Sequence, residues 1–376
     1  MLTTVFFFLL CAFGVFIPTI FCHPTHNLNP DEGPKFSSSD SDLLHPTPIS
    51  PALYADLISY SKLIDISYCI SPWSRIQFPF QCDGDCSEFH RTELIYQWNS
   101  NDFTRSQIID ARQGNDFSTT GYIAVSHDLK SIVVSLRGTR SFKDSLINLN
   151  TDMIPYRASS ANNNNMWVHR GFYFSYLDTW ERIKWHIALQ ISKFPQYQLL
   201  VLGHSMGGAI ANFVTLRIVE EGIKVQGHVS GVLGVSMGQP MIGNSEFSNY
   251  VNQMLNLSSN WTSLSCQNQP KFIRVTHKHD PVVKLPFLSV RLDTSSEPRS
   301  STPGELNDDN LYSHCNGEIY INEVGSEVPL KQNVYHCEGN HDQRCSNDGT
   351  NTGLDPRDNT EHLNYFKRLG TCGFSL

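Results

Sequence analysis

The sequence predicts an α/β fold in which a mostly parallel sheet is covered by helices on both faces. Two observations carry that prediction. Apolar, β-branched runs alternate along the chain with stretches whose apolar residues recur at helical spacing. One such run, Leu199-Leu200-Val201-Leu202, passes directly into Gly203-His204-Ser205-Met206-Gly207 and then into a helix. At 376 residues the chain is long enough to bury a sizeable core.

Taken in order, residues 1–22 read as a secretory signal built on the apolar run 5–21, although no Lys or Arg precedes it. A signal anchor is the alternative, for which a run broken by Gly14 and Pro18 is short. Residues 23–50 are rich in Pro, Ser, Asp and Asn and predict a disordered pro-segment or linker, so the folded domain is expected over 51–376. Leu53, Leu57, Tyr60 and Ile64 predict an amphipathic helix, and residues 120–139 a β-hairpin about a polar turn. Phe172, Leu177, Trp180, Ile183, Ile187 and Ile191 predict a helix over 171–194. A strand over 198–202 leads to a helix over 207–220 with Ile210, Phe213, Val214 and Ile218 inward. Further strands are expected at 228–236, 272–276 and 318–321, with no internal repeat and no second run long enough to span a bilayer.

The chain carries 28 basic against 36 acidic side chains, a formal charge of −8 spread without blocks, which excludes nucleic acid and anionic membrane surfaces as partners. Cys11 and Cys22 lie in or beside the signal. The remaining eight cysteines are an even number on an oxidising route, which points to four disulfides. A zinc site from His336, Cys337, His341 and Cys345 is the competing reading. Asn256 and Asn260 open glycosylation sequons that fit the same compartment.

The strand, the Gly-x-Ser-x-Gly turn and the helix together form a nucleophile elbow, the pattern of α/β-hydrolases. It would lift the Ser205 hydroxyl above the sheet and turn the Met206 N–H toward an oxyanion. A phosphate-binding loop is the alternative, but the Lys-Ser/Thr it requires is missing. Ser205 needs a base and the base an orienting acid. The best acid is Asp280, just past a predicted strand, unless it serves only an Asx turn before Pro281. For the base, His314, His336, His341 and His362 all lie in the C-terminal part of the chain.

Five segments in order resemble the secreted fungal class 3 (Rhizomucor-type) triacylglycerol lipases: Leu136–Thr139, Val168–Phe172, the elbow at 203–207, residues 274–286 and His362–Phe366. The resemblance implies a single α/β-hydrolase domain with Ser205, Asp280 and His362 as a catalytic triad. It assigns Thr139 and Met206 to the oxyanion hole, where one donor is typically worth about 3 kcal/mol of transition-state stabilisation. It also implies a lid after Thr139, with Phe142, Leu146 and Leu149 on its apolar face, although an ordinary surface helix would show the same spacing. From the family's cysteine pattern it implies the pairs Cys69–Cys372, Cys82–Cys86, Cys337–Cys345 and Cys266–Cys315. The 82 residues from Asp280 to His362 are more than compact fungal relatives hold, and the polar stretch 289–316 has no evident role.

The function expected on these grounds is that of a secreted serine ester hydrolase acting on acylglycerols at an oil–water interface. It would be monomeric and would need no metal or cofactor. A phospholipase A1 or feruloyl-type esterase is the alternative on the same fold, a non-catalytic lipase-like binding glycoprotein the alternative from another class. Retention in a vacuole or cell wall is the alternative to release outside the cell.

Overall fold

The computed structural model describes residues 47–99, 119–139, 152–157, 165–223, 231–257, 269–286, 312–340, 342–346 and 360–372. The chain enters through β1 (Thr47–Pro48) and α1 (Pro51–Ile66) and continues through β2 (Thr92–Trp98), β3 (Gly121–Ser126) and β4 (Ser131–Leu136). Short strands β5 (Met153–Pro155) and β6 (Trp167–His169) lead to α2 (Arg170–Lys193), β7 (Gln198–His204) and α3 (Met206–Glu220). Then come β8 (Val232–Met237), β9 (Gly243–Asn244), α4 (Ser245–Met254) and β10 (Phe272–His277). The last strands are β11 (Tyr312–Ser313), β12 (Glu318–Ile321) and β13 (Val334–His336).

Among the described residues, nine strands form one sheet in the order β1-β13-β12-β10-β8-β7-β4-β3-β2. Its centre, β4, β7, β8, β10 and β12, is parallel, and the flanking pairs are antiparallel. A small antiparallel sheet of β11, β9, β6 and β5 stands apart from it. The central strands β3, β4, β7, β8 and β10 are buried almost throughout, as a sheet covered on both faces requires.

Alternate residues of each strand serve opposite faces. Ile132, Val134, Leu199 and Val201 pack with Ile183 and Ile187 of α2 and Ile210 and Phe213 of α3. Val133, Leu200, Leu202, Val235 and Val275 pack with Leu57, Leu63 and Ile64 of α1 and with Tyr365, Phe366 and Leu369. The register puts Leu136 opposite Gly203, His204 opposite Met237 and Met237 opposite Val275. The parallel strands therefore end level with one another, where α/β sites collect.

The helices at 51–66, 170–193 and 206–220, the hairpin, and the strands near 198, 272 and 318 match the sequence expectations closely. Ser50 caps α1 by accepting the Leu53 N–H at 3.1 Å, with Pro51 in the first turn. The folded chain nevertheless begins before Pro51. Thr47 and Pro48 pair with β13, and Ile49 is buried with its N–H on Val334 O at 3.2 Å. Ile49 is the apolar residue that a reading by composition passes over. The strand expected at 228–236 is seen as Val232–Met237, with 224–230 outside the described residues. The signal expected at 1–22 is also outside them, as is most of the linker expected at 23–50.

The C-terminal segment is tied to α1. Asp65 accepts the N–H groups of Gly370 at 2.7 Å and Thr371 at 3.1 Å and pairs with Lys367 at 2.6 Å. Cys69–Cys372 closes the same seam across 303 residues. The region after α1 and the C-terminal segment thus support each other.

Candidate active site

Ser205 sits between β7 and α3 at φ 56°, ψ −127°, a strained conformation for a non-glycine residue. Neighbouring glycines make the turn feasible: a Cβ on Gly203 would run into the Gly207 carbonyl, and one on Gly207 into Leu136 O. The Ser205 N–H donates to Met237 O at 2.9 Å, and its own carbonyl accepts the Gly208 N–H at 2.9 Å and the Ala209 N–H at 3.2 Å. Its hydroxyl is buried and has no hydrogen-bond partner among the described residues. A buried polar atom left in that state calls for an explanation, and reactivity supplies one.

Asp280 follows β10 and His362 lies in a short turn, 82 residues later in the chain, yet the two meet. His362 Nδ1 is 2.9 Å from Asp280 Oδ2 and 3.1 Å from Oδ1. The carboxylate also accepts the Tyr365 hydroxyl at 2.6 Å and the Val282 N–H at 2.8 Å. Burial would raise the Asp280 carboxyl, but the charge and hydrogen bond of His362, with the Tyr365 and Val282 donors, hold it below the ordinary carboxylate range. An ionised acceptor fixes the proton of His362 on Nδ1 and leaves Nε2 as the basic atom.

Gly238 connects this pair to the serine. Its predecessor Met237 receives the Ser205 N–H, and a Cβ on Gly238 would lie 2.9 Å from His362 Cε1 and 3.0 Å from Asp280 Oδ2. On the other side, a Cβ on Gly138 would lie 2.9 Å from Ser205 Cβ, so the end of β4 borders the serine directly. Thr139, the next residue, is half-buried, and its hydroxyl contacts Met206 Sδ at 3.6 Å. The two residues expected to supply oxyanion donors are therefore neighbours across the elbow.

The residue before the serine also has a structural task. His204 Nε2 meets His362 O at 2.8 Å, and because a carbonyl can only accept, Nε2 carries the proton. Its Nδ1 then accepts the Tyr68 hydroxyl at 2.5 Å, and the Tyr68 oxygen accepts the Gly138 N–H at 3.1 Å. Burial, reinforced by repulsion from His362, pushes His204 down to about 3, so it is a neutral strut. This chain of bonds links the strand before Thr139 to the segment carrying His362.

Of the other histidines considered, His314 binds Val283 O at 2.6 Å, His336 lies in β13, and His341 is outside the described residues. Cys69–Cys372, Cys82–Cys86 and Cys337–Cys345 are formed, and the last consumes two ligands of the zinc alternative. The expected Cys266–Cys315 pair is corrected: Cys315 is a buried free thiol 3.6 Å from Asn212 Nδ2, and Cys266 is outside the described residues. Asn256 is half-buried and donates to Gln269 O at 3.2 Å, while Asn260 lies outside the described residues. Phe142, Leu146 and Leu149, expected on a lid, are outside them as well, as is most of 289–316. Sequence reasoning missed Tyr68, His204, Gly238 and Tyr365. Only Tyr365 carried a signal, its place three residues after His362.

Comparisons with known proteins fit this geometry. A profile of the family Lipase (class 3) matches residues 133–290. A secreted mono- and diacylglycerol lipase from Gibberella zeae is 26% identical over 351 residues, covering 84% of this chain and 74% of the relative. Lipase A of Sodiomyces alcalophilus is 27% identical over 332 residues, covering 80% and 69%. The crystal structure of Lip2 lipase from Yarrowia lipolytica superposes with a TM-score of 0.69 at 29% identity, covering 88% of this chain and 98% of that one.

Proposed function

We propose that the chain, which matches the class 3 lipase family over residues 133–290, is a secreted triacylglycerol lipase working through an acyl-enzyme on Ser205. Ser205 Oγ attacks the ester carbonyl as His362 Nε2 takes its proton, and Asp280 holds the imidazole and balances its charge. The N–H groups of Thr139 and Met206 receive the developing oxyanion. The proton on His362 passes to the departing glyceride alcohol. Water, deprotonated by the same imidazole, then releases the fatty acid and restores Ser205.

The observation that carries this reading is the Asp280–His362 pair at 2.9 Å, set beside an elbow serine whose buried hydroxyl is otherwise unengaged. The names of the relatives place mono- and diacylglycerols beside triacylglycerols as substrates to compare. Secretion is in keeping with relatives named as secreted. Among the described residues no helix is long and apolar enough to cross a membrane.

The test is the hydrolysis rate of tributyrin carried through its solubility limit, with Ser205→Ala as blank. We expect a rate that jumps once droplets form and is abolished in Ser205→Ala and in His362→Ala. Saturation below the limit with no jump would redirect the reading to a soluble-ester esterase. An active His362→Ala would remove His362 as the base.

A further inference from the structure

We infer that residues 70–81 form a fixed lipid anchor, in which Trp73 and Phe78 insert into the surface of a neutral lipid phase; this rests on the acylglycerol reading above. The segment runs between two disulfides, from Cys69, bonded to Cys372, to Cys82, bonded to Cys86. It points its apolar residues both ways. Ile76 and Phe80 are buried, whereas Trp73 is 95% and Phe78 76% exposed, flanked by exposed Pro72 and Pro79.

The rings are not outside because the loop is loose. Ser71 Oγ accepts the N–H groups of Trp73 at 3.2 Å and Ser74 at 2.9 Å. The Gln97 amide grips both backbone groups of Ile76, at 3.0 and 2.8 Å. Gln77 and Gln81 exchange two backbone hydrogen bonds, and Pro79 O accepts the Leu94 N–H at 2.6 Å. Two large rings are thus held in water on a backbone already satisfied, an arrangement that loses little further freedom on binding.

Position adds the second argument. Ile70 O accepts Arg137 Nη1 at 2.7 Å, two residues before Thr139. Gln97 lies near the end of β2, where Trp98 faces Gly121, which in turn faces Leu136. Trp73, between Ile70 and Ile76, therefore lies toward the end of the sheet that carries Ser205, and Phe78, beside Pro79 at Leu94, lies farther along β2. The partner's chemistry follows from charge: a chain at −8 is not drawn to an anionic surface, so attachment must come from insertion into a neutral one. Aromatic rings, Trp above all, suit the boundary between water and lipid.

The experiment uses the full chain carrying Ser205→Ala, so that nothing is consumed, and measures its partitioning by flotation onto triolein droplets coated with phosphatidylcholine. Trp73→Ala with Phe78→Ala should lower the partition coefficient by about tenfold or more, and each single change by a smaller factor. Trp73→Phe should keep most of the binding. Trp185→Ala, which removes an exposed ring from α2, should leave partitioning unchanged. Matching thermal midpoints establish that the variants are folded. Undiminished binding of the double variant, or an equal loss in Trp185→Ala, would overturn the anchor. Failure of the Ser205-intact protein to hydrolyse tributyrin either dissolved or as droplets would instead sink the hydrolase reading, whatever the flotation shows.

Discussion

Gly238 is where a single methyl group should separate catalysis from folding. It adopts φ 63°, and an alanine there would place Cβ 2.9 Å from His362 Cε1, 3.0 Å from His362 Nδ1 and 3.0 Å from Asp280 Oδ2. Ordinary contacts begin near 3.4 Å, so the imidazole and carboxylate must retreat by about 0.5 Å (3.4 minus 2.9). A displacement of about 1 Å at a reacting group costs on the order of a hundredfold, so Gly238→Ala should lower kcat on a dissolved ester by about ten- to a hundredfold. The left-handed backbone adds about 1–2 kcal/mol of strain and the overpacking about 1–3 kcal/mol, both read from urea denaturation. Gly222→Ala is the matched control, because Gly222 has φ 58° and nothing within 4 Å of the new Cβ. It should show the same strain of about 1–2 kcal/mol with kcat unchanged. A Gly238→Ala enzyme with wild-type kcat would refute the placement of His362 and Asp280 against this glycine.

Tyr68→Phe removes the partner of both His204 Nδ1 and the Gly138 N–H, and at about 1–3 kcal/mol for each buried group it should lower the denaturation midpoint and kcat together. A midpoint that does not move would contradict the relay. Acid should destabilise the protein early: between pH 6.5 and about 3 the unfolded chain binds a proton at His204 that the folded chain refuses, so stability falls as pH drops through that window. By pH 5 that one residue accounts for about 2 kcal/mol, with His336, held near 4 by burial, acting in the same direction. Asp280 acts in the same direction at lower pH: its lowered carboxyl stabilises the fold above the ordinary carboxylate value, and that contribution is lost as pH falls through the lower folded value. Urea midpoints that are equal at pH 7.5 and 5 would contradict the histidine account. Replacing Cys69 and Cys372 by Ala opens a closure spanning 303 residues and should cost about 5 kcal/mol in the chain-entropy model, with loss of secreted protein as a second readout.

Much of this protein is local in origin. The buried parallel strands announce themselves as continuous apolar runs, and α2 as a long helical repeat, because burial on one or both faces leaves a periodic trace in the chain. The elbow is legible for the same reason: Gly203, Ser205 and Gly207 are fixed by a steric demand within five residues. Asp280 could be placed at a strand end, but the residues alone left four histidines open, and the resemblance to class 3 lipases chose His362 among them. Composition hid the pairing of Thr47 and Pro48 with β13, since a two-residue strand has no periodicity to read. Tyr68, His204, Gly238 and Tyr365 were hidden more deeply, because each acts through a contact with a distant part of the chain.

The sheet and the elbow serine can be read from the chain alone, because short-range sterics and burial pattern set both. The folded arrangement was needed to show how closely His362 meets Asp280, how His204 and Tyr68 join the end of β4 to the His362 segment, and that Cys315 is a buried thiol. These depend on strand order and register, which bring residues 82, 136 and 158 positions apart within a hydrogen bond. Spacing along a chain carries no record of such distances until the sheet is assembled.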